Sequence, residues 1–110
     1  MNILVIGEIG IDRFIYCDCN RIAPDLPVPV LLPRTTESNP GLAANVVSNI
    51  QSLRGQWNVE FVHQPSRIYK TRYVDAKSNH TFIRVDQGDT ITHERLSLIG
   101  LNKIDLSKFN

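Results

Sequence analysis

The run Ile3-Leu4-Val5-Ile6, ended by Gly7, constrains the fold of this chain more than any other feature. Four consecutive apolar residues without polar alternation predict a strand buried on both faces, the situation of a parallel strand inside an α/β sheet. The next stretch, Gly7-Glu8-Ile9-Gly10-Ile11-Asp12-Arg13, is polar and compact. Glycines after a buried strand point to a ligand edge, because open α/β sheets bind at the carboxyl ends of their strands. Two common phosphate loops do not fit. Position 9 is Ile and no helical pattern comes after it, which fails G-x-G-x-x-G, and no Gly-Lys-Ser or Gly-Lys-Thr occurs anywhere.

Further along, Phe14-Ile15-Tyr16-Cys17-Asp18-Cys19 has strand composition. Pro24, Pro27, Pro29 and Pro33 then exclude a helix and interrupt any central strand. Val28, Val30 and Leu32 alternate with other residues, which predicts an edge strand or lid-like flap, with a plain extended loop as the alternative. Asn39-Pro40-Gly41 predicts a helix start, Asn39 as N-cap and Pro40 at the first helical position. Leu42, Val46, Ile50 and Leu53 recur at helical spacing, and Ala43 with Val47 widen the stripe. Asn45 falls in the first turn, where unpaired backbone N–H groups favour hydroxyl or anion oxygens. Gly41 lets a ligand come close to the backbone, although most capped helices bind nothing. Residues 67–86 read as a β-hairpin turning at Ala76-Lys77-Ser78-Asn79-His80. Thr92 then caps a short helix through Leu96 and Ile99 that stops near Gly100.

Composition narrows the function classes. With 110 residues the chain makes one small domain, and 42% apolar residues supply a core. A net charge of +1 gives no reason to expect nucleic acid or an anionic membrane as partner. The basic and aromatic hairpin is offset by Asp75, Asp86 and Asp89 and reads as a solvated lid face. No apolar run approaches the roughly 18 residues of a membrane span. The opening residues lack the basic leader of a signal peptide, so the expected location is cytoplasmic. Cys17 and Cys19, two positions apart, cannot staple a secreted fold. With His63, His80 and His93 they match no zinc spacing, and they are expected to be ordinary strand side chains.

Together these residues carry a resemblance. Ile3-Leu4-Val5-Ile6-Gly7-Glu8 with Asp12-Arg13-Phe14 resembles the opening strand of ribokinase-type (PfkB) carbohydrate kinases. Arg21-Ile22-Ala23-Pro24-Asp25-Leu26-Pro27-Val28-Pro29-Val30 is similar to a more distinctive signature. It is that of the branch that phosphorylates D-glycero-D-manno-heptose 7-phosphate on the way to ADP-heptose, a lipopolysaccharide precursor. Pro40-Gly41-Leu42-Ala43-Ala44-Asn45-Val46 resembles that family's glycine-alanine-asparagine helix start. Thr71-Arg72-Tyr73-Val74 and Ile83-Arg84-Val85-Asp86 resemble its lid hairpin, so the likeness runs from residue 2 to about residue 89.

The resemblance implies an α/β chain forming a partial ribokinase-like fold. It would hold a parallel strand and a helix of the main sheet, with a β-rich lid from segments about 13–34 and 67–86, all in one incomplete domain over residues 1–110. In that family the acidic residue after the first strand holds sugar hydroxyls, a role that falls to Asp12. The helix-start glycine and asparagine line the sugar pocket, which carries over to Gly41 and Asn45. The residue types suit the task, since a carboxylate accepts from hydroxyls and an amide both donates and accepts. Some positions depart from the pattern. Leu42 replaces a second glycine, Glu8 stands where aspartate is commoner, and Arg54 to Pro65 is too short for the usual strand–helix unit.

The largest departure concerns catalysis. Family members carry a Gly-Ala-Gly-Asp motif whose N–H groups stabilise the transferring phosphoryl and whose aspartate takes the hydroxyl proton. The six glycines, at 7, 10, 41, 55, 88 and 100, form no such motif, and no catalytic residue is assigned. The expectation is the N-terminal, sugar-binding and lid part of a sugar kinase, inactive alone and without a cofactor of its own. ATP and Mg2+ are implied for the complete family member. The implied partners are a sugar or sugar phosphate, a second copy through the lid, or a complementary kinase half. Two other readings stay open: a non-catalytic remnant that binds sugar phosphate or pairs through its lid, and a small structural domain without ligand.

Overall fold

The apolar opening run forms strand β1 (Asn2–Ile6), and its neighbour is β4 (Asn58–Val62), parallel and in register from Asn2–Asn58 to Ile6–Val62. The computed structural model describes residues 1–88 and 103–109. Within them the chain is mixed α/β, with two sheets and one α-helix. The short stretch after the helix thus holds a strand, and the main-sheet element is a parallel pair where the sequence led us to expect one strand. Burial of β1 on both faces is not observed. Ile3, Leu4 and Val5 are half-buried and Ile6 is exposed, because β1 has one neighbour among the described residues.

The second sheet has the order β3-β2-β5-β6, built from β2 (Ile9–Asp18), β3 (Leu32–Leu42), β5 (Ile68–Asp75) and β6 (Thr81–Gln87). Its central pair, β2 and β5, is parallel, and both outer pairs are antiparallel. The expected edge strand is real but lies later than the proline alternation indicates. Residues 19–31 hold only an isolated bridge between Ile22 and Pro29, and pairing starts at Leu32. As an edge strand, β3 accommodates Pro33 and Pro40, whose missing N–H groups need not face a partner.

The helix start also moves. Asn39, Pro40 and Gly41 belong to β3, and α1 spans Ala43–Ser52. Its N-cap is Leu42, without a side-chain cap bond, so Asn39 is not a cap. Ala43, Ala44, Val47 and Ile50 take the half-buried side of the helix, while Val46 and Leu53 stay exposed. The apolar stripe is therefore rotated from the expected one. Ala43 donates to the Glu8 carbonyl at 3.0 Å, and a Cβ on Gly7 would lie 2.6 Å from the Ala43 Cβ. Only glycine lets the β1–β2 connection pass so close beneath the helix start. The helix read from Thr92 to Gly100 lies outside the described residues.

Two connections run side by side from the small sheet to the large one, after β1 and after β4, and Gln64 joins them. Its side chain is buried, accepting from the Ile9 N–H at 2.8 Å and donating to the Ile9 carbonyl at 3.0 Å. The amide supplies the two hydrogen bonds that a neighbouring strand would otherwise give. The remaining core is small: Cys17, Ile68 and Val74, with buried Thr71. Burial, then the adjacent Asp18 charge, holds the Cys17 thiol above its ordinary range.

The hairpin forms as its sequence predicts, β5 pairing with β6 around residues 76–80. Asn79 takes the left-handed conformation at φ 60°, which asparagine tolerates. The Asp75 carboxylate accepts from the Ser78 hydroxyl at 2.6 Å and the Ser78 N–H at 3.1 Å. Those bonds, the hydroxyl first, hold its pKa below the ordinary carboxylate value. A carboxyl lowered in the folded state stabilises above its unfolded value and loses that contribution as pH falls through the folded one. The turn is expected to hold from neutral pH down to about pH 4 and to loosen in more acid solution. The Ser78 amide shift, titrated by NMR, should change at lower pH than for an unperturbed aspartate and not at all in Asp75→Asn. An ordinary aspartate midpoint would contradict this.

Candidate functional site

Asp12 lies in the middle of β2, opposite Asn39 on β3 and Lys70 on β5. Two positions beyond Asn39 the edge strand reaches Gly41, paired with Gly10 and buried. Asp12 and Gly41 meet there. A Cβ on Gly41 would stand 3.1 Å from Asp12 Oδ2 and 3.2 Å from its Cγ, so the carboxylate rests against bare backbone. Any larger residue at 41 would displace the carboxylate or bend the strand.

Arg72 is the third member. Its Nη1 is 3.8 Å from Asp12 Oδ1, and its guanidinium lies 5.4 Å from the centroid of the Phe14 ring. Asp12, Phe14 and Arg72 occupy alternating positions on adjacent parallel strands, which places them on one sheet face. The Asp12 side chain is 36% exposed and Arg72 28%, so both reach solvent while their stems are packed. At that exposure the ion pair adds little stability, and its main effect is to orient the two groups.

Asn45 sits in the first turn of α1, as its spacing predicts, but it makes no hydrogen bond through its side chain among the described residues. The structure therefore unites two of the three expected site residues, Asp12 and Gly41, and leaves Asn45 on the helix surface. An open groove of about 300 Å³ runs along the same two strands, β2 and β3. It is lined by Ile9, Gly10, Ile11, Ser38, Asn39, Pro40, Ala44 and Arg67, a mostly apolar set that includes neither Asp12 nor Gly41. Ile9, Ile11 and Pro40 alternate with Asp12 and Asn39 along their strands, so the groove opens on the sheet face opposite the carboxylate and Arg72. Arg72 entered the sequence reading only as part of the lid hairpin, because the hairpin's basic residues read as one solvated face, and only the pairing of β5 with β2 brings it to Asp12.

Known proteins resemble the chain along most of its length. No family model matches the chain. Over 107 residues, 94% of its length, it is 35% identical to the Bifunctional protein HldE of Vibrio atlanticus. It is also 35% identical over 97 residues to the HldE of Edwardsiella ictaluri, and 50% identical over 52 residues to that of Proteus mirabilis. The chain belongs to the heptose-kinase branch of the ribokinase-like family. It corresponds to the N-terminal portion of that branch. It spans 22% of the Vibrio relative, 20% of the Edwardsiella relative and 11% of the Proteus relative. Among the described residues no helix is long and apolar enough to cross a membrane.

Proposed function

We propose that this chain is the sugar-binding and lid portion of a cytoplasmic kinase that transfers phosphate from ATP to a hydroxyl of D-glycero-D-manno-heptose 7-phosphate. The observation that carries the reading is the Asp12 carboxylate lying against Gly41, in a chain related along most of its length to HldE proteins. Asp12 accepts hydrogen bonds from sugar hydroxyls, Gly41 leaves the ring room to approach, and Asn45 offers an amide at the helix start. The β2–β3 and β5–β6 pairs form the lid over the sugar. In this role the chain binds and orients the acceptor hydroxyl. Phosphoryl transfer also needs an oxyanion cradle and a base. Asp12 stands beside Arg72, an arrangement that suits a carboxylate held ready to accept from sugar hydroxyls.

Titration calorimetry with heptose 7-phosphate tests the reading. Saturable binding is expected, weakened about a hundredfold in Asp12→Ala through loss of charge-assisted hydrogen bonds. With Mg-ATP present, no ADP release is expected from the chain alone. Absence of binding, or binding indifferent to Asp12→Ala, would overturn the proposal. Turnover that disappears in Asp12→Ala would show a working kinase within these 110 residues. A second reading, pairing of two copies through the lid, draws on β6, which lies at the sheet edge with Ile83 54% and Val85 39% exposed. Self-association without sugar binding would favour it.

A further inference from the structure

The groove along β2 and β3 opens away from Asp12, and we infer that it binds a small molecule with an apolar body and one carboxylate. The body lies on Ile9 and Ile11 of β2, Pro40 of β3 and Ala44 in the first turn of α1, and the carboxylate meets Arg67, just before β5. A volume of about 300 Å³ stands at the lower end of the range for small-molecule sites, whose walls are mostly apolar with a few polar groups that fix orientation. Ile11 precedes Asp12 on β2, so an occupant packs against the reverse of the strand that carries the carboxylate. Nothing in this inference depends on the sugar reading.

Arg67 decides the charge of the ligand. It is exposed, has no ion pair among the described residues, and shares the groove with no carboxylate. Register extends the accounting over the whole sheet face. Among the described strands that face carries Arg13, whose guanidinium lies 4.9 Å from the centroid of the Tyr69 ring, and one acid, Asp75. Tyr69 is opposite Ile11, whereas Asp75 is opposite Cys17, about 20 Å further along β5, where Ser78 engages its carboxylate. The groove therefore has a cation at its rim and no anion near it. Apolar walls alone accept any hydrocarbon. A guanidinium adds a forked, charge-assisted contact that a carboxylate takes and an ammonium group is repelled by.

Octanoate is the probe, with acetate and octylammonium as controls, titrated into the 110-residue chain by calorimetry and followed by amide NMR. One saturable site is expected, about tenfold or more tighter for octanoate than for either control, with the Ile9, Ile11 and Ala44 amides shifting. Arg67→Gln should weaken octanoate about fivefold and remove its advantage over octylammonium, and Arg67→Lys should keep most of it. Ser38→Phe sets a ring beside Pro40 at an exposed edge-strand position that tolerates aromatics, and should block octanoate without changing charge. Asp12→Ala, on the other face, should leave octanoate affinity unchanged, with circular dichroism confirming that each variant folds. The site is overturned by equal affinity for octanoate and octylammonium, by absence of a saturable site, by Arg67→Gln binding octanoate as tightly as the unaltered chain, or by loss of octanoate in a folded Asp12→Ala. Sugar binding is read separately on the same protein, so failure of either reading leaves the other standing.

Discussion

Replacing Gln64 by leucine is expected to lower folding stability by about 2–4 kcal/mol, through two backbone groups left without partners. Leucine fits the volume but offers nothing to the Ile9 N–H and carbonyl, which Gln64 now satisfies at 2.8 and 3.0 Å. Gln64 is 7% exposed, so water does not easily replace it. Ile9 begins β2, and Asp12 stands three residues on, so loosening this joint should also weaken sugar binding. Urea unfolding measures the first effect, calorimetry the second. Gln64→Glu sharpens the test. At neutral pH the introduced carboxylate would accept from the Ile9 N–H but repel its carbonyl. Once protonated it both donates and accepts. The folded pKa of that carboxyl is then raised, so its contribution is full in acid and lost as pH rises through that value. A leucine variant as stable as the unaltered chain would show that the two connections hold together without Gln64.

That joint was not visible in the sequence, and the reason is physical. Gln64 acts on a residue 55 positions away, and no periodicity marks a polar side chain standing in for a strand. The strand of Ile3–Ile6 and the 67–86 hairpin were legible because their signals are local: an apolar run ended by glycine, and two β-rich segments around a turn. β4 was harder, since its role depends on parallel pairing with β1 across a long intervening stretch of chain. Asn39-Pro40-Gly41 misled because a proline after asparagine satisfies helix-start chemistry and edge-strand chemistry alike. Pairing of Pro40 with Ile11 decided for the strand. At the candidate site, the resemblance named Asp12 and Gly41, and their close approach came from the pairing of β2 with β3. Arg72 joined them only when register placed β5 beside β2.

Leu42 is expected to reverse an ordinary ranking: Leu42→Gly should be more stable than Leu42→Ala by about 1 kcal/mol. Its backbone sits at φ 55°, ψ −135°, a conformation that side chains resist and glycine adopts freely. Holding a non-glycine residue there costs about 1–3 kcal/mol, and alanine keeps that strain while giving up leucine's packing. Leu42 is 37% exposed, so the packing lost is only partial, worth about 1 kcal/mol. Glycine loses the same packing and adds about 0.5–1 kcal/mol of unfolded-state entropy, but it releases the strain. Its net effect on the unaltered chain is therefore close to zero, and alanine falls below it. Urea midpoints of the three proteins decide the order, and an alanine variant more stable than glycine would refute the strain. The ligand side rests on the same geometry. The Leu42 side chain lies over Gly10, where a Cβ would come within 2.9 Å of its Cδ1, next to the Gly41 backbone that faces Asp12. Clearing that space should tighten sugar binding severalfold. This would mark Leu42, standing where the resemblance expects a second glycine, as a residue that narrows the approach to the carboxylate.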